Sequence, residues 1–172
     1  MHTFYRYFLV LTACASLLLG VQAPNFVDQY EKRLDAHLSE VEGNLRGYQD
    51  IADTFFAGSL AALLDKHEQS ADAVFKAEAK PIRQLYERHQ HFMQEKHALA
   101  TGLTGKLAFI VANGDRQLVH ETWASYSFTV PLNGAAVASG FIVMTLVVLI
   151  IELIRLTWRK LFGMPRRALQ RV

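Results

Sequence analysis

Apolar positions fall into two unbroken runs near the chain ends and a helical stripe between them. Ala124–Ile151 contains no charged residue, and its densest part runs from Ala135 to Ile151. A helix needs about 20 apolar residues to cross roughly 30 Å of hydrocarbon. This run supplies them when Leu153, Ile154 and Leu156 are counted with it, so it predicts a transmembrane helix over 132–158. Val130-Pro131 biases the chain to an extended form there and places the helix start near Asn133. Trp123, Tyr126 and Phe128 precede it as an interfacial aromatic belt.

The first run, Tyr7–Val21, follows Arg6 and admits three readings. Val21-Gln22-Ala23 has the form of a signal-peptidase site, but Pro24 would follow the scissile bond. Leu11-Thr12-Ala13-Cys14 resembles a lipoprotein signal, yet the apolar run continues past the cysteine. The preferred reading is an uncleaved transmembrane helix over 4–22, with Tyr5 and Tyr7 at the interface.

Between the runs the spacing is helical. Val27, Tyr30, Leu34, Leu38, Val41, Leu45, Tyr48, Ile51 and Phe55 cover 28 residues in eight steps, a mean of 3.5. That is the coiled-coil period. Pro24 suits the first turn of this helix. Asp28–Lys32 and Glu42–Arg46 are outer-face i,i+4 pairs, and Gly43 and Gly47 would admit a close backbone. Gly58-Ser59 breaks the run, with Ser59 capping a helix over 60–68. Ser70 or Asp72 caps another through Lys80, and Pro81 restarts the chain. Ile82, Leu85, His89, Phe92, Lys96, Leu99 and Leu103 then form a second stripe, paired antiparallel with the first. Thr101–Gly105 reads as a break, Leu107–Ala112 as a short apolar run, and Asp115 as the cap of a helix through Ala124. The fold class expected is an all-α membrane protein: two transmembrane helices flanking a helical-hairpin, coiled-coil-like domain over 24–130, with a tail over 159–172.

Charge adds orientation. Of 172 residues, 51% are apolar and 20% charged, but residues 24–130 carry 15 acids and 11 bases, while 152–172 carry one acid and six bases. Lys and Arg mark the cytoplasmic end of a membrane helix, so both termini are expected inside and residues 24–130 in the periplasm. The bases sit against a membrane helix, which argues against nucleic-acid binding. Cys14 is the one cysteine, so the chain forms no internal disulfide and has no cysteine set for zinc.

Gln22-Ala-Pro-Asn-Phe-Val-Asp-Gln-Tyr30 followed by Arg33-Leu-Asp-Ala-His-Leu38, with the flanking apolar helices, resembles an uncharacterised proteobacterial family of inner-membrane proteins, domain of unknown function 2937. The resemblance implies a bacterial inner-membrane setting and brings no activity, ligand or catalytic residue.

Candidate chemistry is sparse. Glu87, His91 and Glu95 fall at i, i+4, i+8 on one helix face, a weak carboxylate–imidazole set that more simply reads as a solvated charged face. His89 and Lys96 lie on the stripe, at its rim or setting register; His37 suits a hydrogen-bonded role near the membrane. Glu152 is an intramembrane charge on paper, but Arg155 follows three residues on and pairs with it near the boundary. Ser16 and Gly20, with Ala13, share one small-residue face, and Ala136 and Gly140 another, with Ala135 and Ser139 beside them; such faces let membrane helices approach. Depth counting pairs Gly20 with Ala136 and Ser16 with Gly140. There is no nucleophile elbow and no phosphate loop, so no catalytic residue and no cofactor is expected. The reading is a binding or scaffolding protein whose partners are the lipid bilayer and a protein, including copies of itself. The alternatives are a subunit of an oligomeric transporter or channel and, less favoured, a metal-dependent enzyme.

Overall fold

The computed structural model describes residues 2–129 and 133–162. Among them are six helices and no strand: α1 (His2–Phe55), α2 (Leu60–Glu68), α3 (Ala73–Ala98), α4 (Leu103–Asn113), α5 (Arg116–Ala124) and α6 (Gly134–Phe162). The chain divides into two compact units. One comprises the residues through Phe26 and those from Ser127 on; the other is Val27–Tyr126.

In the second unit the first stripe packs as its spacing predicts through Leu45, with Val27, Tyr30, Leu34, Leu38, Val41 and Leu45 all buried. Beyond Leu45 the stripe is corrected. Ala52 is fully buried, whereas Ile51 and Phe55 are exposed. α1 ends just beyond this point. Phe56 and Gly58 both donate to the Ala52 carbonyl, at 2.8 and 3.0 Å. Ala57 (φ 49°) and Gly58 (φ 82°) take left-handed conformations that close the helix.

Capping then proceeds as expected from sequence. Ser59 accepts from Ala62 N–H at the start of α2 and Asp72 from Val74 N–H at the start of α3. Asp115 accepts from Leu118 N–H at the start of α5. Pro81 does not restart the chain; it lies inside α3. Its missing N–H deprives only the Ala77 carbonyl, and both residues face solvent, where water can satisfy the group.

α3 runs antiparallel to α1. Asp35 pairs with Lys96 at 2.8 Å, while the later Glu42 meets the earlier His89 at 3.7 Å. The second stripe keeps Ile82, Phe92 and Leu99 buried, but Glu95 takes the place expected of Lys96. Lys96 reaches out to Asp35 instead, which keeps its ammonium hydrated. The domain is also more than a hairpin. α4 begins at Leu103, inside the expected break, and Lys106 from it bonds Glu31 at 2.6 Å. α5 buries Leu118 and Thr122.

The first unit pairs the start of α1 with α6. Pro24 is inside α1, not at a first turn. α6 begins at Gly134, with Asn133 Oδ1 accepting from Ala136 N–H at 2.8 Å. Val130-Pro131-Leu132 and the basic positions Arg166, Arg167 and Arg171 lie outside the described residues. Asn25, almost fully buried, donates through Nδ2 to the Thr129 carbonyl at 3.2 Å and so anchors the segment leading to α6. Both helices are long and apolar enough to cross a membrane, and only 6% of the α6 apolar window is buried.

Candidate functional site

α1, α3 and the start of α5 bring the second unit's polar side chains into two adjoining clusters. The first forms around Glu95. A buried carboxylate must have its lone pairs matched or it costs several kcal/mol, on the order of the desolvation of the group. Glu95 is 3% exposed. Its Oε1 accepts from the Tyr30 hydroxyl and from Asp115 N–H, the latter at 3.0 Å. Its Oε2 accepts no hydrogen bond. His91, one turn earlier on α3, places Nε2 3.7 Å from Glu95 Oε2 and 3.1 Å from Asp115 Oδ2. Tyr30 also takes a 3.0 Å bond from Asp115 N–H. Burial, then the bond to Glu95, pushes the Tyr30 hydroxyl far above its ordinary range, so it stays a neutral donor.

The second cluster centres on Glu121. His37 Nε2 lies 2.9 Å from Glu121 Oε2, with Arg33 3.4 Å away on the same oxygen. Gln117 donates to Oε1 at 2.8 Å. The His37 contact, then Gln117, holds the Glu121 carboxyl down to about 2. Arg88 approaches His37 Nδ1 at 3.3 Å and stacks over Phe92, its guanidinium 5.2 Å from the ring centroid. His37 is therefore hydrogen-bonded from both ring nitrogens and has a fixed orientation.

Of the expected triad, His91 and Glu95 come together; Glu87 does not join them, and Asp115 takes the third place. The i, i+8 spacing of Glu87 and Glu95 spans two turns, which sets them about 12 Å apart along the axis. Asp115 reaches the site because the turn between α4 and α5 returns to α3, where the Asp115 N–H meets Glu95 Oε1. Sequence reading identified Asp115 only as a cap. A cap uses one carboxylate oxygen, here Oδ1 on Leu118 N–H at 2.9 Å, and does not use the other, which here meets His91 Nε2 at 3.1 Å. That spare oxygen was the available signal. Tyr30 and Glu121 carried no signal beyond stripe and helix, because their roles depend on contacts 65 and 84 residues away in sequence.

In the first unit, Gly20 lies against Gly140. A Cβ on Gly20 would sit 2.8 Å from Gly140 Cα, and one on Gly140 would sit 2.7 Å from Val21 Cγ2. Ser16 and Ala136 are buried in the same unit. The register differs by about one turn from the expected one, since Gly20 faces Gly140 and not Ala136. The reason lies in Pro24. Without an N–H it cannot bond the Gly20 carbonyl four residues back. Ser139 Oγ donates to that carbonyl at 2.8 Å, which draws the Ser139–Gly140 step onto Gly20. At the other end of the pair, Arg155 lies 3.4 Å from Glu152 Oε1, the Tyr5 hydroxyl donates to the same oxygen at 2.9 Å, and the Arg155 guanidinium stacks 4.1 Å from the Tyr5 centroid. Glu152 is thus matched by a cation and a hydroxyl.

A family model described as a protein of unknown function, DUF2937, matches residues 4–164. No curated protein and no solved structure matches the chain.

Proposed function

We propose, since the chain belongs to the DUF2937 family of unknown function, that it is an integral membrane protein that crosses the bilayer twice and acts by binding or scaffolding, without catalysis. The observation that carries this reading is the exposure of α6: a core helix of a soluble protein hides its apolar face, and this one buries 6% of its apolar window. Phe141, Ile142, Leu149 and Leu153 are more than half exposed. Lipid is the environment in which such a surface is stable. At about 1.5 Å per residue, the 29 residues of α6 extend about 43 Å, more than the roughly 30 Å of a hydrocarbon core. Arg155, Arg159 and Lys160 at the end of α6 orient that end to the cytoplasm by the positive-inside rule. Residues 27–126 then lie on the opposite side, the periplasm in the bacterial inner membrane that the family resemblance implies.

The scaffolding assignment is supported by how the polar groups are used. Glu152 is engaged by Arg155 and Tyr5, which suits a helix clasp better than a conduction path. His37 is held between Arg88 and Glu121, which suits a fixed framework better than proton transfer. Alkaline phosphatase fusions test the topology. A fusion after Gln90 is expected to be active and one at the C-terminus inactive. The reverse pattern, or activity at both, would remove the reading.

A further inference from the structure

We propose that His91, Glu95 and Asp115 form a binding site for a divalent cation of the zinc class. His91 and Glu95 are one turn apart on α3 and share a face. Asp115 arrives from the N-cap of α5. One donor atom from each residue lies within 4.8 Å of the other two. In a four-coordinate zinc site with bonds of about 2.0–2.2 Å, neighbouring donors stand about 3.2–3.6 Å apart. His91 Nε2 is 3.1 Å from Asp115 Oδ2 and 3.7 Å from Glu95 Oε2, so two of the three edges lie within about 0.1 Å of that range.

Glu95 supplies the independent indication of a ligand. Its side chain is 3% exposed, and Oε2 faces His91 without accepting a hydrogen bond. Burying half a carboxylate with nothing to match it is costly, and a cation there resolves the cost. The two acids share one design. Glu95 commits Oε1 to Tyr30 and Asp115 N–H, and Asp115 commits Oδ1 to Leu118 N–H, so each leaves its second oxygen for the ion. Such outer contacts aim the donors before the metal arrives. One imidazole with two carboxylates suits zinc and its neighbours, whereas magnesium and calcium prefer oxygen alone. The His91 side chain is 54% exposed, which gives the ion an entry path and leaves its fourth position to water. The ion joins α3 to the start of α5 across the intervening α4, whether or not the chain crosses a membrane.

The rival explanation is an imidazolium at His91 facing the two acids, which needs no metal. Equilibrium dialysis of the full chain in detergent, with tags removed and residual metal chelated, separates them. One Zn²⁺ per chain is expected. Co²⁺ should give the visible absorption of a four-coordinate ion, lost on adding Zn²⁺. His91→Ala and Asp115→Asn should each weaken Zn²⁺ binding by at least about 100-fold, more than the 10–100-fold typical of outer-shell losses. Asparagine caps a helix about as well as aspartate, so Asp115→Asn should keep the helix content by circular dichroism. Tyr30→Phe should weaken binding by about 10-fold through Glu95. Glu87→Gln should leave it unchanged. Zn²⁺ held equally by the wild type, His91→Ala and Asp115→Asn would sit on other histidines and overturn the proposal. So would a chain that takes up neither ion.

Discussion

Glu95 and Glu121 meet opposite environments a few residues from one another's partners. Glu95 is enclosed by donors from a phenol and a backbone amide, while Glu121 faces His37, Gln117 and Arg33 at a half-exposed position. The fold holds the Glu121 carboxyl down to about 2 from an ordinary 4.5, chiefly through the His37 hydrogen bond. A depressed carboxyl stabilises the fold fully above its unfolded pKa. The contribution is lost as pH falls from about 4.5 toward about 2. The titratable and charged groups around it are Arg33 and the His37 imidazole, with Arg88 and Glu40 behind the imidazole. Glu121→Gln should therefore lower stability at pH 6 by about 1.5 kcal/mol, the low end for a hydrogen bond to a charged group, since solvent reaches the site. It should also flatten the loss of stability between pH 5 and 3. Urea unfolding of wild type and variant at each pH checks both. Parallel pH curves would show that Glu121 contributes no linkage.

At the scale of elements, two of the four prolines sit inside helices, Pro24 in α1 and Pro81 in α3. Each removes one backbone bond, and the consequence depends on where the freed carbonyl points. Water is available to Ala77. Gly20 faces α6, where Ser139 supplies the hydroxyl. A double-mutant cycle isolates this link. Ser139→Ala should cost about 1 kcal/mol with Pro24 present, in the range measured for hydrogen bonds between membrane helices. It should cost close to nothing in a Pro24→Ala background, where the restored N–H reaches the Gly20 carbonyl. Reversible unfolding in mixed micelles provides the free energies, and equal costs in both backgrounds would sink the link. The pairing of Gly20 with Gly140 adds a steric condition. Even one Cβ at Gly20 would come within 2.8 Å of Gly140 Cα, so the helices must part to admit it.

For the whole molecule, the same contact bears on processing of the N-terminal segment. Removing residues 1–23 would expose the small-residue face of α6, including the buried Ala136, and would strip Glu152 of the Tyr5 hydroxyl. A segment that completes the packing of another helix is part of the fold. The intact mass of the membrane-extracted protein should therefore include residues 1–23. A mass beginning at Pro24, or a lipidated one beginning at Cys14, would show instead that α6 finds its partner elsewhere.

Local order was legible because it follows from local rules. The spacing of Val27 through Leu45 set the buried face of α1, and Ser59, Asp72 and Asp115 marked helix starts through side-chain acceptors that act within three residues. The apolar runs identified the two helices long enough to cross a membrane. Helix ends and phase were less legible. A proline interrupts or continues a helix according to whether its orphaned carbonyl finds a partner, and that partner is distant in sequence for Gly20. The stripe of α3 put Lys96 on the seam, at its rim or setting register, and only the positions of Tyr30 and Asp115 explain why Glu95 is the buried residue there. The site was the least legible feature. Spacing along one helix named His91 and Glu95 but added Glu87, because periodicity sees a single face. Asp115 joins them from the turn between α4 and α5, 20 residues beyond Glu95, a pairing that no local pattern encodes.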